Sequence, residues 1–328
     1  MGRVLEDNLE IEKPILVIGI GGAGSRIARE ACKSINSECV LISNDTKDLV
    51  GGSNSILINP KSWVNPSSYK LRFYAQASAT RIRPVLHGSN TVVVVANLAG
   101  RGGSAIAPVV CRLAKEHSNS KTVVSFVVMP FKFEKDRVFQ AAISLKRIRE
   151  SSDATIVIDN EAFLNNNPEL SAEDCYKITN KALSETIGLI CSGGYSYSDL
   201  SLLCTSSHVG GTELSAKDSV TMLYQNAYAG PVKSAVLYVM GGKNVPLGLL
   251  NSLLNTLQEI FKDDGNVGVA IADSDSDKTK VHLLASFDET TRFDAYDPLS
   301  RIIPNRNVLD WDDMDCSPDI EMALSNLE

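Results

Sequence analysis

The 328-residue sequence holds no apolar stretch near the roughly 18 residues that a membrane span needs, so direct membrane insertion is not expected. It has seven cysteines, an odd and scattered set with no CxxC pair. That pattern excludes a disulfide framework and a zinc site, and predicts reduced thiols in a cytoplasmic protein. Histidine is scarce, at four, and neither His208 nor His282 has partners at metal-ligand spacing. Asp273, Asp275 and Asp277 crowd together, but the EF-hand glycine and closing glutamate are missing, so a solvated hairpin loop is expected. Basic charge is in no excess. The formal net charge is −7, which excludes a surface built for nucleic acid. Lys and Arg are absent from 307–328, where seven acids supply that net charge by themselves. The polar, acidic start, 1–13, lacks the apolar core of a signal peptide.

What remains is an ordinary globular composition, 44% hydrophobic and 22% charged, in a chain long enough for two domains with real cores. Apolar runs at 15–20, 39–42, 56–58, 91–96, 122–128 and 155–158 alternate with helical patterns at 25–34, 67–86, 104–116 and 137–150. Continuous apolar strands between helices predict a doubly wound parallel sheet, with the ligand crevice at the strands' C-terminal ends.

The first strand runs into Gly19-Ile20-Gly21-Gly22-Ala23-Gly24-Ser25 and then a helix. Strand, glycine loop and helix together aim backbone N–H groups and a helix N-terminus at a phosphate. The loop has two readings. As G-x-G-x-x-G over Gly19, Gly21 and Gly24, with Asp45 some twenty residues on, it is a dinucleotide fingerprint and predicts an NAD(P)-dependent oxidoreductase. As G-G-x-G-S it is the first of two phosphate loops. The second follows the run at 91–96 and reads Asn97-Leu98-Ala99-Gly100-Arg101-Gly102-Gly103-Ser104-Ala105, with Ala107-Pro108 in the opening turn of the next helix. A polyphosphate held between two loops needs both. Arg101 is either a solvated loop charge or a phosphate contact.

These segments resemble the tubulin/FtsZ family. The second loop is similar to the signature G-G-G-T-G-T-G followed by A-A-P-V, with only some glycines retained. Asn44-Asp45-Thr46, Asn65-Pro66, Met129-Pro130-Phe131-Lys132-Phe133-Glu134 and Ile158-Asp159-Asn160 resemble further family motifs in order, and the likeness spans about 14–290. It implies GTP or GDP, with or without Mg2+, bound by Gly21, Gly22, Ala23, Gly24, Ser25, Asn44, Gly100, Arg101, Gly102, Gly103, Ser104, Glu134 (at the ribose), Arg137, Asn160, Tyr176 and Asn180. Arg137 stands three residues after Glu134, where the family keeps an arginine four after, at Val138 here.

Ser171 with Asp174 marks a helix start, and the segment 171–192 is apolar on more than one side, so it is expected to lie between layers. It resembles the family's central helix, in which an aromatic stacks on guanine and an amide one turn later reads its edge. Tyr176 and Asn180 match those positions. After it, Gly194, Ser196, Tyr197 and Asp199 align with a loop whose carboxylates orient water at the neighbouring subunit's nucleotide. Only Asp199 of those carboxylates is kept.

The expected architecture is α/β: a Rossmann-like doubly wound parallel-sheet GTP-binding domain (1–170), a central core helix (171–192), a smaller α+β second domain (193–292) and an acidic, disordered tail (293–328). Strands at 235–240, 267–272 and 281–287, a helix at 247–261 and a turn at Gly241-Gly242 are expected in the second domain. The resemblance implies a cytoplasmic cytoskeletal and cell-division protein that assembles head-to-tail into filaments. Its GTPase would be slow or lost because the signature and water-orienting loops are degraded, and its acidic tail would recruit an adaptor. A nucleotide-free scaffold that keeps the fold is the remaining alternative.

Overall fold

A computed structural model describes residues 11–51, 54–61, 66–117, 121–192, 200–208, 211–226, 232–241, 245–261, 266–272 and 279–287. The chain runs β1 (Ile15–Ile20), α1 (Gly21–Ile35), β2 (Glu38–Ser43), β3 (Asn54–Leu57), α2 (Ser68–Ala77), α3 (Ala79–Ile82), β4 (Thr91–Asn97), α4 (Arg101–His117), β5 (Thr122–Met129), α5 (Lys135–Glu150), β6 (Ala154–Asp159) and α6 (Asn160–Asn166). It continues through α7 (Ala172–Cys191), β7 (Leu200–Thr205), α8 (Thr212–Asn226), β8 (Val232–Met240), α9 (Leu247–Phe261), β9 (Asn266–Ala272) and β10 (Lys280–Phe287).

Every residue of β1 and β6 is buried, as are all but one of β4 and of β5. Strands covered on both faces must be apolar throughout, which is why these segments read as unbroken Val/Ile runs. Each buried Val, Ile or Leu contributes roughly 1.5–3 kcal/mol of transfer free energy. The strands form one ten-stranded sheet in the order β3-β2-β1-β4-β5-β6-β7-β10-β8-β9. The first six are parallel, and β7 joins them in parallel alongside β6. β10 then pairs antiparallel with both β7 and β8, and β9 lies parallel to β8. The doubly wound, mostly parallel expectation is borne out.

The chain leaves β1 toward β2 and leaves β4 toward β5, in opposite directions along the sheet. Right-handed crossovers therefore send α1 and α4 to opposite faces. α1 packs against α7, and α4 against α2 and α5.

Some expected elements differ in detail. The helix expected over 67–86 is broken into α2, α3 and a 3-10 turn at Arg83–Leu86. Ser78 ends α2, with its hydroxyl donating back to Tyr74 O at 2.8 Å, and Pro84 sits in the closing turn without an N–H to extend a helix. α1 and α4 begin three to four residues earlier than the patterns at 25–34 and 104–116, because the glycines wind directly into the first turns. α6, β7 and α8 were not among the expected elements. Gly241 takes a left-handed φ of 78°, consistent with the turn expected there, and Gly242 lies outside the described residues.

His282, given no role from the sequence, is fully buried on β10. Its Nε2 lies 2.8 Å from Glu185 Oε2 of α7, and its Nδ1 lies 3.0 Å from Thr205 Oγ1 of β7. Lys280 Nζ donates to the same Glu185 oxygen at 3.1 Å. With the imidazole neutral, Nε2–H donates to Glu185 and Nδ1 accepts from Thr205, a tautomer assigned from the network. Burial pushes His282 down from its ordinary value, and Lys280 and Lys181 act in the same direction against Glu185. Burial alone would raise Glu185, but His282 and Lys280 outweigh it and hold the carboxyl at about 2.

Both groups are depressed in the folded chain, so the unfolded chain binds more protons as pH falls. Stability from this latch is complete above the ordinary histidine value of 6.5 and is lost progressively as pH falls toward 2. The loss from Glu185 is roughly 3 kcal/mol. Urea unfolding at stepped pH should show this decline. His282→Gln should be less stable at neutral pH, with its acid-induced decline beginning nearer the ordinary carboxylate value of 4.5.

Candidate functional site

β1 and β4 are neighbours in register, Ile20 opposite Ala96, and each runs straight or nearly straight into a helix. A methyl group on Gly24 would lie 2.3 Å from Val95 O, and one on Gly103 would lie 2.1 Å from Asn97 O. No side chain fits there. Glycine is therefore what lets α1 start against the end of β4, and α4 start against its own preceding strand. Gly21 has a left-handed φ of 67°, the turn out of β1.

The two loops adjoin. A methyl on Gly21 would sit 3.5 Å from Gly103 N, and one on Gly102 would sit 2.9 Å from Asn44 Oδ1. The structure thus brings Gly21, Gly22, Ala23 and Gly24 together with Gly100, Gly102, Gly103 and Asn44, at the C-terminal rim of β1, β2 and β4. This rim includes the switch point of the sheet, where β2 and β4 flank β1, the place where open α/β sheets bind ligands.

The first turns of α1 and α4 hold no acidic residue of their own, and the residue before α1, Ile20, offers no side-chain cap. α2, α3 and α9 also lack a first-turn acid, whereas α5, α6, α7 and α8 carry one. Arg101 is exposed and opens α4, where its positive charge opposes the helix dipole. Ser25 Oγ is fully buried with no protein partner. Ser104 is buried, its hydroxyl donating to Arg101 O at 3.3 Å.

Asp48, not singled out from the sequence, also stands at this rim. It accepts from Ser43 Oγ at 2.6 Å, and a methyl on Gly22 would lie 2.8 Å from its Oδ1. Its spacing after Asn44-Asp45-Thr46 held no motif that could have marked it. Asp45 is spent differently: its Oδ1 accepts from Lys47 N at 3.0 Å and caps the 3-10 turn Thr46–Leu49.

Farther along the same rim, β5 and β6 end at Met129 and Asp159, which are register partners. After β5, Glu134 accepts from Phe131 N at 3.2 Å, from Arg137 Nη1 at 2.6 Å and from Tyr176 OH at 3.3 Å. Arg137 is thus paired with Glu134. Tyr176 of α7 is half-buried and meets Phe131 edge-to-face at 5.1 Å. Burial, followed by the Glu134 carboxylate, pushes its phenol up to about 12.

After β6, buried Asn160 accepts from Thr179 Oγ1 of α7 at 3.0 Å. Its Nδ2 donor has no partner, and neither does the buried Oδ1 acceptor of Asn180, next to Thr179 on α7. Leaving a buried amide donor or acceptor unpaired costs about 1–3 kcal/mol each. The expected cap of α7 is present, with Ser171 Oγ accepting from Asp174 N at 3.1 Å.

Asn65, Asp199 and the tail lie outside the described residues. Among the described residues, no group of three or more His, Cys, Asp or Glu is placed to hold a metal ion, and no helix is long and apolar enough to cross a membrane.

Residues 14–168 match the family model described as Tubulin/FtsZ family, GTPase domain. That segment, and the chain with it, is similar to the tubulin/FtsZ family. It is similar to Cell division protein FtsZ 2 of Halobacterium salinarum, 26% identical over 301 residues that cover 83% of this chain and 75% of that protein. In fold it is similar to the empty FtsZ dimer of M. jannaschii, with a TM-score of 0.67, 22% identity and coverage of 84% of this chain and 88% of that one. It is also similar to CetZ2 from Haloferax volcanii, solved as a GTPgS-bound protofilament, with a TM-score of 0.65, 18% identity and coverage of 88% and 97%. The sequence resemblance is borne out.

The Glu134–Tyr176 contact in this FtsZ-like chain is open to direct measurement. Glu134→Gln removes the negative charge beside the phenol, so Tyr176 should titrate at lower pH than in the unaltered protein. It should stay above the ordinary tyrosine value of 10, because burial persists. An absorbance titration of tyrosinate, with Tyr176→Phe as the blank, reads the shift.

Proposed function

We propose that this chain binds GTP or GDP at the C-terminal rim of its sheet. The phosphates lie between the first turns of α1 and α4, and the base lies against α7. The observation that carries the reading is the pair of abutting glycine turns with no acid in either first turn. Backbone N–H groups and two helix dipoles converge there on a position that favours negative charge. Arg101 fits the same logic, since a cation that opens a helix is offset when an anion shares the site. The ring of Tyr176 supplies an apolar surface for the base, and Glu134 sits where a ribose hydroxyl can donate to a carboxylate. The unpaired Asn160 donor and Asn180 acceptor are complementary to the mixed acceptors and donors of a guanine edge.

Asp45 caps its own turn through Oδ1, and the likeness to FtsZ proteins favours guanine nucleotide over a dinucleotide. In the proposed function Mg2+ arrives with the nucleotide. It neutralises phosphate charge, and no described acidic cluster is assigned to it.

Hydrolysis in this reading belongs to an assembly. Ser192 follows α7, whose Gly188 packs near Ser34 at the far end of α1, and β7 starts with Leu200 paired to Thr155 at the beginning of β6. Both attachment points of the intervening segment are thus at the rim opposite the glycine turns. Residues carried there reach a nucleotide when subunits stack head-to-tail, a heterologous contact that gives open filaments. With Asp199 the one retained carboxylate of that segment and the signature loop degraded as well, water is oriented less well and the GTPase is slow or absent. A role in cell division is supported by relatives named cell division proteins, and the acidic tail is the segment proposed to meet an adaptor.

Thermal unfolding with GDP, GTP or NAD tests the site. Guanine nucleotides should raise the midpoint and NAD should not; stabilisation by NAD alone overturns the assignment. Asn180→Ala should weaken GDP about 10- to 100-fold, as expected for one lost pair to a buried amide, with an unchanged circular dichroism spectrum. Absence of guanine nucleotide in extracts of the purified protein, together with no binding on addition, would support the scaffold alternative. GTP turnover that rises with protein concentration to rates typical of intact family members would contradict the slow-hydrolysis reading.

A further inference from the structure

The rim opposite the glycine turns carries a second group of reactive side chains, independent of the nucleotide reading. Cys32 lies in the last part of α1, and Cys39 is the second residue of β2, across the short connection through Asn36 and Ser37. Their thiols hydrogen-bond to one another, and Cys32 Sγ lies 3.8 Å from Glu38 O. Cys191, the last residue of α7, is close enough to act electrostatically on Cys32. Both Cys32 and Cys39 line an open groove of about 750 Å³ whose rim includes Arg26, Arg29 and Lys33. Glu30 lines the groove beside the three cations, and of those cations Arg29 acts electrostatically on Cys39.

We propose that Cys32 and Cys39 form a reversible redox pair that closes to a disulfide when a hydroperoxide enters this groove. Cys32 is the attacking sulfur. The hydrogen bond from Cys39 holds Cys32 below the ordinary thiol value, whereas burial pushes Cys191 up to about 12 and Cys111 up to about 11. The same hydrogen bond, with burial, raises Cys39 and keeps its proton in place for the second step.

In the first step the Cys32 thiolate attacks one peroxide oxygen. The S–O bond forms, the O–O bond breaks, and hydroxide leaves and is protonated to water, giving a sulfenic acid. In the second step the Cys39 sulfur attacks the Cys32 sulfur and gives up its proton. The S–S bond forms, the S–O bond breaks, and a second water leaves. Two thiols lose two electrons and two protons, and hydrogen peroxide is reduced to two waters. The product staples the C-terminal end of α1 to the start of β2.

The full-length protein is treated with hydrogen peroxide, quenched, alkylated and digested without reduction for peptide mass mapping. The expected product is a Cys32–Cys39 linked peptide, lighter by two hydrogens than its parts and restored by dithiothreitol, with Cys111 still alkylatable after denaturation. Cys39→Ser, which nearly preserves volume, should leave a sulfenic acid at Cys32 that dimedone traps. Cys32→Ser should leave Cys39 no more reactive than Cys111. Recovery of both thiols unmodified after peroxide overturns the proposal. So does oxidation of Cys39 undiminished in Cys32→Ser, or a cross-link that joins Cys32 to another cysteine in the unaltered protein.

Discussion

The arrangement depends on two contacts that a single methyl group would abolish. Gly24 lies against the carbonyl of Val95, and Gly103 lies against the carbonyl of Asn97. Both carbonyls belong to the C-terminal end of β4, so one strand end sets the start of two helices. Because α1 and α4 then go to opposite faces of the sheet, their N-termini can abut at the rim while their bodies stay apart. A residue with a β-carbon at either position would push one helix outward and open the cleft between the turns. The geometry that concentrates backbone donors is thus fixed by sterics before any ligand is considered.

The second constraint is α7, which runs along α1 from one rim of the sheet to the other. Near its start it holds Tyr176 against Glu134 and Thr179 against Asn160. Midway it holds Glu185 against His282 and Lys280 of β10. Near its end Gly188 approaches Ser34 of α1, within reach of the cysteine pair's rim. The polar contacts at the start leave amide atoms unpaired, whereas the buried ionic contact in the middle is fully partnered. Unpaired buried groups imply a missing partner and partnered ones imply a fastening. The two kinds of contact therefore divide the helix between recognition and attachment to the rest of the sheet.

Much of this was legible in the sequence, for reasons that can be stated. Strands buried on both faces leave an unbroken apolar run, so β1, β4, β5 and β6 could be read directly. Glycines that must meet a carbonyl are visible as Gly24 and Gly103, and the serine cap of α7 is a local signal that needs no tertiary context. The break at Ser78 was not legible, because residues 67–86 are helix-forming on both sides and the first helix ends where the Ser78 N–H and hydroxyl bond back to its last turn. α6 and α8 were missed because each is set by contacts with distant residues; Asn166 of α6, for example, donates to Asp218 O of α8 at 3.1 Å. Asp48 and His282 were missed for a related reason. Their partners, Ser43 and Glu185 among them, are set by the fold, and neither lies in a motif of recognisable spacing.

Arg137 stands one residue earlier than the family pattern places its arginine, and it pairs with Glu134. An arginine on α5 reaches Glu134 from there, because residues three and four apart share a helix face. The carboxylate is then occupied by Phe131 N–H, the Tyr176 hydroxyl and this guanidinium together. A ribose hydroxyl that donates to Glu134 in the proposed function joins or displaces these donors. In the proposed function the groups that hold the ligand all come from one rim, while the segment that would orient water is attached at the other. Sequence drift in that segment can therefore reduce hydrolysis while the binding rim is left intact. The second glycine turn keeps only some of the signature glycines, but Gly103, the one that meets the Asn97 carbonyl, is among those present.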